Sequence, residues 1–243
     1  VKVLGIIPAR YNSSRFPGKP LIDLKGKPMI QRVYEGAKKS ALIDKLIVAT
    51  DDARILQCVL SFGGEAIMTS EQHTTGTDRC GEVAAQFPEY DVIINIQGDE
   101  PLVDFRQLEE LIRLFEAPET QIGTLGIQLT EKEDLSNENR IKIVLNHKNK
   151  ALYFSRSAIP NTAKYKGNAF EEGLFLRHIG LYGFRRTILK EIIRLEITQL
   201  ETLESLEQLR WLYYGYTIDV AKTTIETPNI DAPEDIEKVL EFL

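Results

Sequence analysis

The chain has 243 residues, with 36 acidic against 30 basic side chains, a formal net charge of −6 and 43% apolar content. That is enough apolar material for one sizeable α/β body with at most a small appendage, and the acidic balance argues against non-specific binding to nucleic acid or a membrane surface. No apolar run approaches the roughly 18 residues of a membrane span, and the apolar start at 1–7 lacks the length and basic flank of a signal peptide, so a soluble cytoplasmic protein is expected.

In the first half, apolar runs alternate with helix-like segments. A strand is predicted over 3–7, a helix over about 29–39, a strand over 46–50 and a helix over about 53–62. A short strand over 66–68, a helix beginning near Thr77 and a strand over 92–96 follow. This βαβα rhythm implies a mostly parallel sheet with right-handed crossovers, flanked by helices and suited to binding a nucleotide. Asp51 or Asp52, where a strand gives way to a helix, is expected to be an N-cap. Beyond residue 124 the pattern is more mixed, with strands over 141–145, 151–155 and 178–184. The polar stretch 161–172 is expected to be an excursion, a small antiparallel unit used in dimer contact, within a subdomain around 151–184 of a single 1–243 domain. A long amphipathic helix is predicted over 200–214, and a last helix after Pro233.

Cys58 and Cys80 share no CxxC or metal-ligand spacing and are expected to be reduced core residues. His73, His147 and His178 form no HExxH pair, which leaves no zinc-hydrolase signature.

The chemistry is concentrated where the first strand runs into Arg10, Ser13, Ser14, Arg15, Gly18 and Lys19. In open α/β sheets, ligands collect at the carboxyl ends of parallel strands, so these cations and hydroxyls emerge where a polyphosphate would bind. A P-loop is excluded because Ser13 stands where it needs Gly and Pro20 where it needs Ser or Thr; the bland alternative is a solvated basic loop. The 92–96 strand ends in Gln97-Gly98-Asp99-Glu100-Pro101, which makes Asp99 the first magnesium candidate, although a turn aspartate fits this peptide equally well. Asp231, in Asn229-Ile230-Asp231-Ala232-Pro233, reads on its own as a helix cap.

Taken together, several motifs resemble the 3-deoxy-manno-octulosonate cytidylyltransferases, or CMP-Kdo synthetases, over nearly the whole chain. They include Ile6-Ile7-Pro8-Ala9-Arg10-Tyr11, Ser14-Arg15-Phe16-Pro17-Gly18-Lys19-Pro20-Leu21, His73-Thr74-Thr75-Gly76-Thr77-Asp78-Arg79 and Asn95-Ile96-Gln97-Gly98-Asp99-Glu100-Pro101. Ala151-Leu152-Tyr153-Phe154-Ser155-Arg156-Ser157, Arg177-His178-Ile179-Gly180-Leu181-Tyr182 and Leu203 to Arg210 continue the match in the family's order. The resemblance implies a Rossmann-like nucleotidyltransferase fold, a homodimer, and Mg²⁺-dependent transfer of a cytidylyl group from CTP to Kdo for lipopolysaccharide biosynthesis. Carried over by position, Arg10, Arg15 and Lys19, with Ser13 and Ser14 nearby, would hold the triphosphate; Asp99 and Asp231 would hold the metal; Pro8, Ala9, Thr75 and Arg79 would read cytosine; and Gln97, Arg156, His178, Tyr182, Glu207 and Gln208 would form the sugar site.

The same residues have structural readings. Glu207 and Arg210 suit an i, i+3 helix pair, His178 a satisfied core histidine, and Tyr182 a half-buried strand. Arg156 is the stronger sugar candidate, since a guanidinium can hold the Kdo carboxylate bidentately. The chain departs from many relatives at Thr75, where Ser is common, at Pro228-Asn229 before Ile230-Asp231, where Gly is common, and at Asn139-Arg140. Competing readings are transfer to 8-amino-8-deoxy-Kdo or another acidic sugar such as a nonulosonate, and an inactive nucleotide-binding scaffold.

Overall fold

The structure, a computed structural model, describes residues 1–12, 16–228, 230 and 235–243. Its first half alternates strand and helix: β1 (Val3–Ala9), β2 (Asp23–Leu24), β3 (Lys27–Pro28), α1 (Met29–Ala37), β4 (Lys45–Thr50), α2 (Ala53–Ser61), β5 (Ala66–Met68), α3 (Gly76–Gln86) and β6 (Val92–Asn95). Then come α4 (Phe105–Arg113), β7 (Ile122–Gln128), α5 (Lys132–Ser136), β8 (Lys142–Leu145), β9 (Ala151–Ser155), β10 (Leu176–Arg185), α6 (Arg186–Ile192), α7 (Gln199–Glu204), α8 (Gln208–Tyr213), β11 (Ile218–Thr223) and α9 (Asp235–Leu240).

The central sheet runs β11-β7-β10-β6-β1-β4-β5, with β8 and β9 attached beside β10. β5, β4, β1 and β6 are mutually parallel, as are β11 and β7, whereas β10 lies antiparallel between β6 and β7. The central strands are buried on both faces, which is why β1 and β6 read as nearly continuous apolar runs. The strand period of two sends Val3 and Ile7 into one core and Leu4 and Ile6 into the other, so the sheet separates two apolar layers. Asp52 caps α2 by accepting from the Arg54 amide, and Thr75 and Asp78 close a capping box on α3.

Two expectations need correction. The helix predicted over 200–214 is two helices, α7 and α8, separated at Ser205, which is left-handed (φ 52°). The turn sends Leu206 into the core and leaves Leu203 in solvent; one continuous helix would not serve both. The stretch 161–172 contains no strand: Asn161 and Asn168 accept from the amides of Ala163 and Phe170 to make turns, while Ala169 and Phe175 pack on Leu129. The antiparallel unit is instead the β8–β9 hairpin joined to the start of β10.

Candidate active site

The carboxyl ends of β1, β4 and β6 meet, with Pro8 opposite Ala49, Ala9 opposite Thr50, and Ile6 opposite Asn95. Beyond β1 the chain passes Arg10 and returns through Gly18, whose amide donates to the Tyr11 carbonyl at 2.8 Å. Gly18 has φ +73°, a conformation that favours glycine, and it delivers Lys19 into a buried position on a single 3₁₀ turn. Beyond β6, Gly98 lies so close to β1 that a Cβ there would sit 2.7 Å from the Pro8 carbonyl oxygen, so only glycine lets the Asp99 loop pack at this depth. The two loops meet where Lys19 Nζ donates to Asp99 Oδ2 at 2.9 Å.

A cleft of about 360 Å³ opens here, and its walls include Pro8, Ala9, Arg10, Lys19, Thr75, Arg79, Gln97 and Asp99. The structure therefore brings together most of the sequence-predicted phosphate and base residues. His73, Thr74, Gly76, Gly98 and Pro20 also line it; each belongs to a motif recognised in the sequence, but none carries a side chain whose chemistry singled it out. Arg79 reaches the cleft from α3 with its guanidinium buried, donating to Asp51 Oδ2 at 2.7 Å and to Thr69 Oγ1. Asp51 is thus an ion-pair partner, and the N-cap of α2 is Asp52.

Ser13, Ser14, Arg15 and Asp231 lie outside the described residues. Ile230, which precedes Asp231 in the sequence, donates its amide to the Asp99 carbonyl at 3.3 Å. Among the described residues no group of three metal-ligating side chains occurs. Asp99 nevertheless presents a partly exposed carboxylate, 40% accessible, beside the Lys19 ammonium at the cleft. Magnesium takes one or two carboxylates and completes its shell with water and substrate phosphate oxygens, so this donor set fits an ion shared with a nucleotide.

The predicted sugar residues divide. Gln97 lines the cleft and donates to the Gly180 carbonyl at 2.9 Å, at an irregularity in the β10–β7 pairing. Arg156, His178, Tyr182, Glu207 and Gln208 lie outside the cleft walls. The Arg156 guanidinium donates to the carbonyls of Glu204, Glu138 and Ser205, so it ties the α7–α8 turn to the loop after α5. His178 is buried with Nε2 2.9 Å from Thr124 Oγ1, and burial pushes its imidazole down to about 3, so it is a neutral core group. Tyr182 packs edge-on against Trp211, and burial pushes its hydroxyl well above the ordinary range.

Glu207 does not pair with Arg210, which makes a two-pronged ion pair with Glu201 at 2.5 and 2.7 Å. Glu207 instead accepts from Thr77 Oγ1 at 2.8 Å, and burial raises its carboxyl to about 7. That bond links the α8 side of the molecule to the first turn of α3, next to cleft-lining Thr75 and Gly76.

Parallel strand ends that gather a buried lysine, an arginine and a carboxylate around a cleft of this size define a nucleotidyl-transferring enzyme, and the family profile described as Cytidylyltransferase matches residues 4–223. Proteins named 3-deoxy-manno-octulosonate cytidylyltransferase from Parabacteroides distasonis, Fusobacterium nucleatum and Syntrophobacter fumaroxidans are 52%, 48% and 45% identical to this chain. Each alignment spans 100% of this chain and 97–98% of the relative. A solved CMP:2-keto-3-deoxy-manno-octonic acid synthetase in complex with CTP superposes with a TM-score of 0.92 at 43% identity, over 100% of this chain and 98% of that one. A cytidylyltransferase from Leptospira borgpetersenii, 16% identical with a TM-score of 0.65 over 98% of this chain and 85% of its own, shares the fold. The chain belongs to the 3-deoxy-manno-octulosonate cytidylyltransferase family.

Proposed function

We propose that this protein transfers the cytidylyl group of CTP to the anomeric hydroxyl of Kdo, forming CMP-Kdo and pyrophosphate. The observation that carries the reading is one cleft whose walls hold the Lys19–Asp99 pair together with Arg10, Thr75 and Arg79. The hydroxyl oxygen attacks the α-phosphorus as the bond to pyrophosphate breaks. Arg10 and Lys19, with Arg15 by family position, hold the phosphates in line and offset the charge that develops on them. Ser13 and Ser14 are assigned to the same phosphate loop. Asp99 and Asp231 would hold Mg²⁺, which when bound supplies charge neutralisation at the α-phosphate and a more acidic sugar hydroxyl. Pro8, Ala9, Thr75 and Arg79 are assigned to the cytosine. Gln97 is assigned to direct contact with the sugar, and Arg156, His178, Tyr182, Glu207 and Gln208 to the frame that supports the sugar side.

No helix among the described residues is long and apolar enough to cross a membrane. The reading extends to a cytoplasmic homodimer that supplies CMP-Kdo to lipopolysaccharide assembly. It is tested by pyrophosphate release with CTP and Mg²⁺, using Kdo, 8-amino-8-deoxy-Kdo and N-acetylneuraminate as acceptors and ATP, GTP and UTP as nucleotide controls. Turnover with CTP and Kdo is expected. Preference for the amino sugar would redirect the acceptor assignment, and no turnover with any acceptor would refute catalysis.

A further inference from the structure

Arg79 has a more constrained environment than contact with a ligand requires. It projects from α3, yet two side chains that hold its terminal nitrogens lie just past the carboxyl ends of other elements, Asp51 directly after β4 and Thr69 directly after β5, and the Ser70 carbonyl accepts a further bond at 3.4 Å. The two anchors are themselves joined, since the Thr69 amide donates to the Thr50 carbonyl at 2.8 Å. The Arg79 side chain is 4% exposed and that of Asp51 18%, so the pair is largely withdrawn from water although Arg79 forms part of the cleft wall. A buried guanidinium without a carboxylate would be strongly disfavoured, and the Asp51 bond to one terminal nitrogen, together with those of Thr69 and Ser70 to the other, fixes the plane in which the remaining N–H groups point.

A guanidinium has five donors and no acceptor. The N3–O2 edge of cytosine offers two acceptors, whereas uracil presents an N3–H donor at the same place. A fixed donor-only group therefore pairs with cytosine and meets uracil donor to donor, while a mobile arginine could swing aside. We propose that Asp51, seconded by Thr69, is the positioning residue that holds Arg79 as a selector of cytosine over uracil. The inference rests on the assignment of Arg79 to the base.

The test is steady-state kinetics with CTP and with UTP, at saturating Kdo and Mg²⁺, on the wild type and on Asp51→Asn, Asp51→Ala, Thr69→Val and Arg79→Lys, with the melting temperature of each. Asp51→Ala is expected to raise KM for CTP about tenfold with kcat changed less than about threefold, and to lower the CTP/UTP ratio of kcat/KM by about tenfold or more. Asp51→Asn keeps an acceptor for the guanidinium and should recover part of the ratio, a rescue that a merely structural role would not produce. If Asp51→Ala does not fold, Asp51→Asn and Thr69→Val carry the comparison, with smaller losses of selectivity expected. A lowered melting temperature with an unchanged CTP/UTP ratio in the Asp51 variants, while Arg79→Lys loses selectivity, overturns the positioning role alone. An unchanged ratio in Arg79→Met, measured alongside these variants and lacking every donor, overturns the base contact itself, and the inference with it.

Discussion

Replacing Lys19 with methionine should tighten divalent-metal binding to the nucleotide-free protein while weakening its grip on CTP. The Lys19 ammonium and the Asp99 carboxylate are 2.9 Å apart, so a metal at Asp99 would compete with Lys19 for Oδ2. At an effective dielectric of about 20, two unit charges at that separation attract by several kcal/mol. Asp99 is 40% accessible, however, and water screens and re-solvates it when the pair opens, which leaves about 1–2 kcal/mol for the charged hydrogen bond. Removing the competitor is then worth roughly 5–30-fold in metal affinity. Titration with Mn²⁺, followed by its paramagnetic resonance signal without nucleotide, reads this directly. Adding Asp99→Asn to Lys19→Met should abolish the gain, and CTP should bind the single variant more weakly. Equal Mn²⁺ affinities for wild type and Lys19→Met would refute the argument that the two charges occupy each other until nucleotide and metal arrive together.

Other parts of the site make separate predictions. Gly98→Ala forces a Cβ to within 2.7 Å of the Pro8 carbonyl, so it should cost about 1–3 kcal/mol in urea unfolding and reduce kcat by displacing Asp99; a stable variant with full kcat would contradict the close-approach argument. Glu207 has a folded-state pKa of about 7, above its ordinary 4.5, so the folded protein holds this proton more tightly than the unfolded chain. Stability from this group is therefore full below about pH 4.5 and is lost as pH rises to about 7, by roughly 2 kcal/mol after allowance for partial exposure. Glu207→Gln should flatten that decline in denaturant melts between pH 5 and 8, and parallel curves for the two proteins would count against it. Arg156→Ala breaks three bonds to main-chain carbonyls and should lower stability by about 1–3 kcal/mol; a variant of unchanged melting temperature whose KM rises for Kdo alone would return Arg156 to direct contact with the sugar carboxylate.

What the sequence revealed follows from the range over which its signals act. The strand ends carrying Arg10 and Asp99 were legible because a buried parallel strand is a continuous apolar run, and its carboxyl end has a fixed use in such sheets. The start of α3 was legible only as a helix beginning near Thr77; the structure starts it at Gly76, behind a capping box of Thr75 and Asp78. Partnering across the fold was not. Asp51 has the local environment of a cap, and only the approach of α3 makes it the counterion of Arg79. Arg156 has the chemistry of a carboxylate clamp, yet in the structure it holds two carbonyls of the α7–α8 turn and one of the loop after α5. The break at Ser205 was hidden because serine is no strong helix breaker and the apolar spacing continues across it; the pull of Leu206 into the core decides the matter.

The placement of β10 gives the molecule a seam. On one side, β5, β4, β1 and β6 and the loops at their ends come from the first hundred residues and carry the Lys19–Asp99 pair and the anchored Arg79. On the other, β8, β9, β10 and the α7–α8 turn come from later in the chain and meet the first side through the β10–β6 ladder, a shared apolar core and the side-chain ties of Thr77 to Glu207 and Gln97 to Gly180. On the proposed assignment the later stretch supports the sugar side without lining the nucleotide cleft, so substitutions there are expected to alter acceptor use more than the grip on the nucleotide. For an engineer, the later stretch is the place to vary what supports the sugar side, and the bonds of Glu207 and Gln97 are contacts that such changes have to preserve.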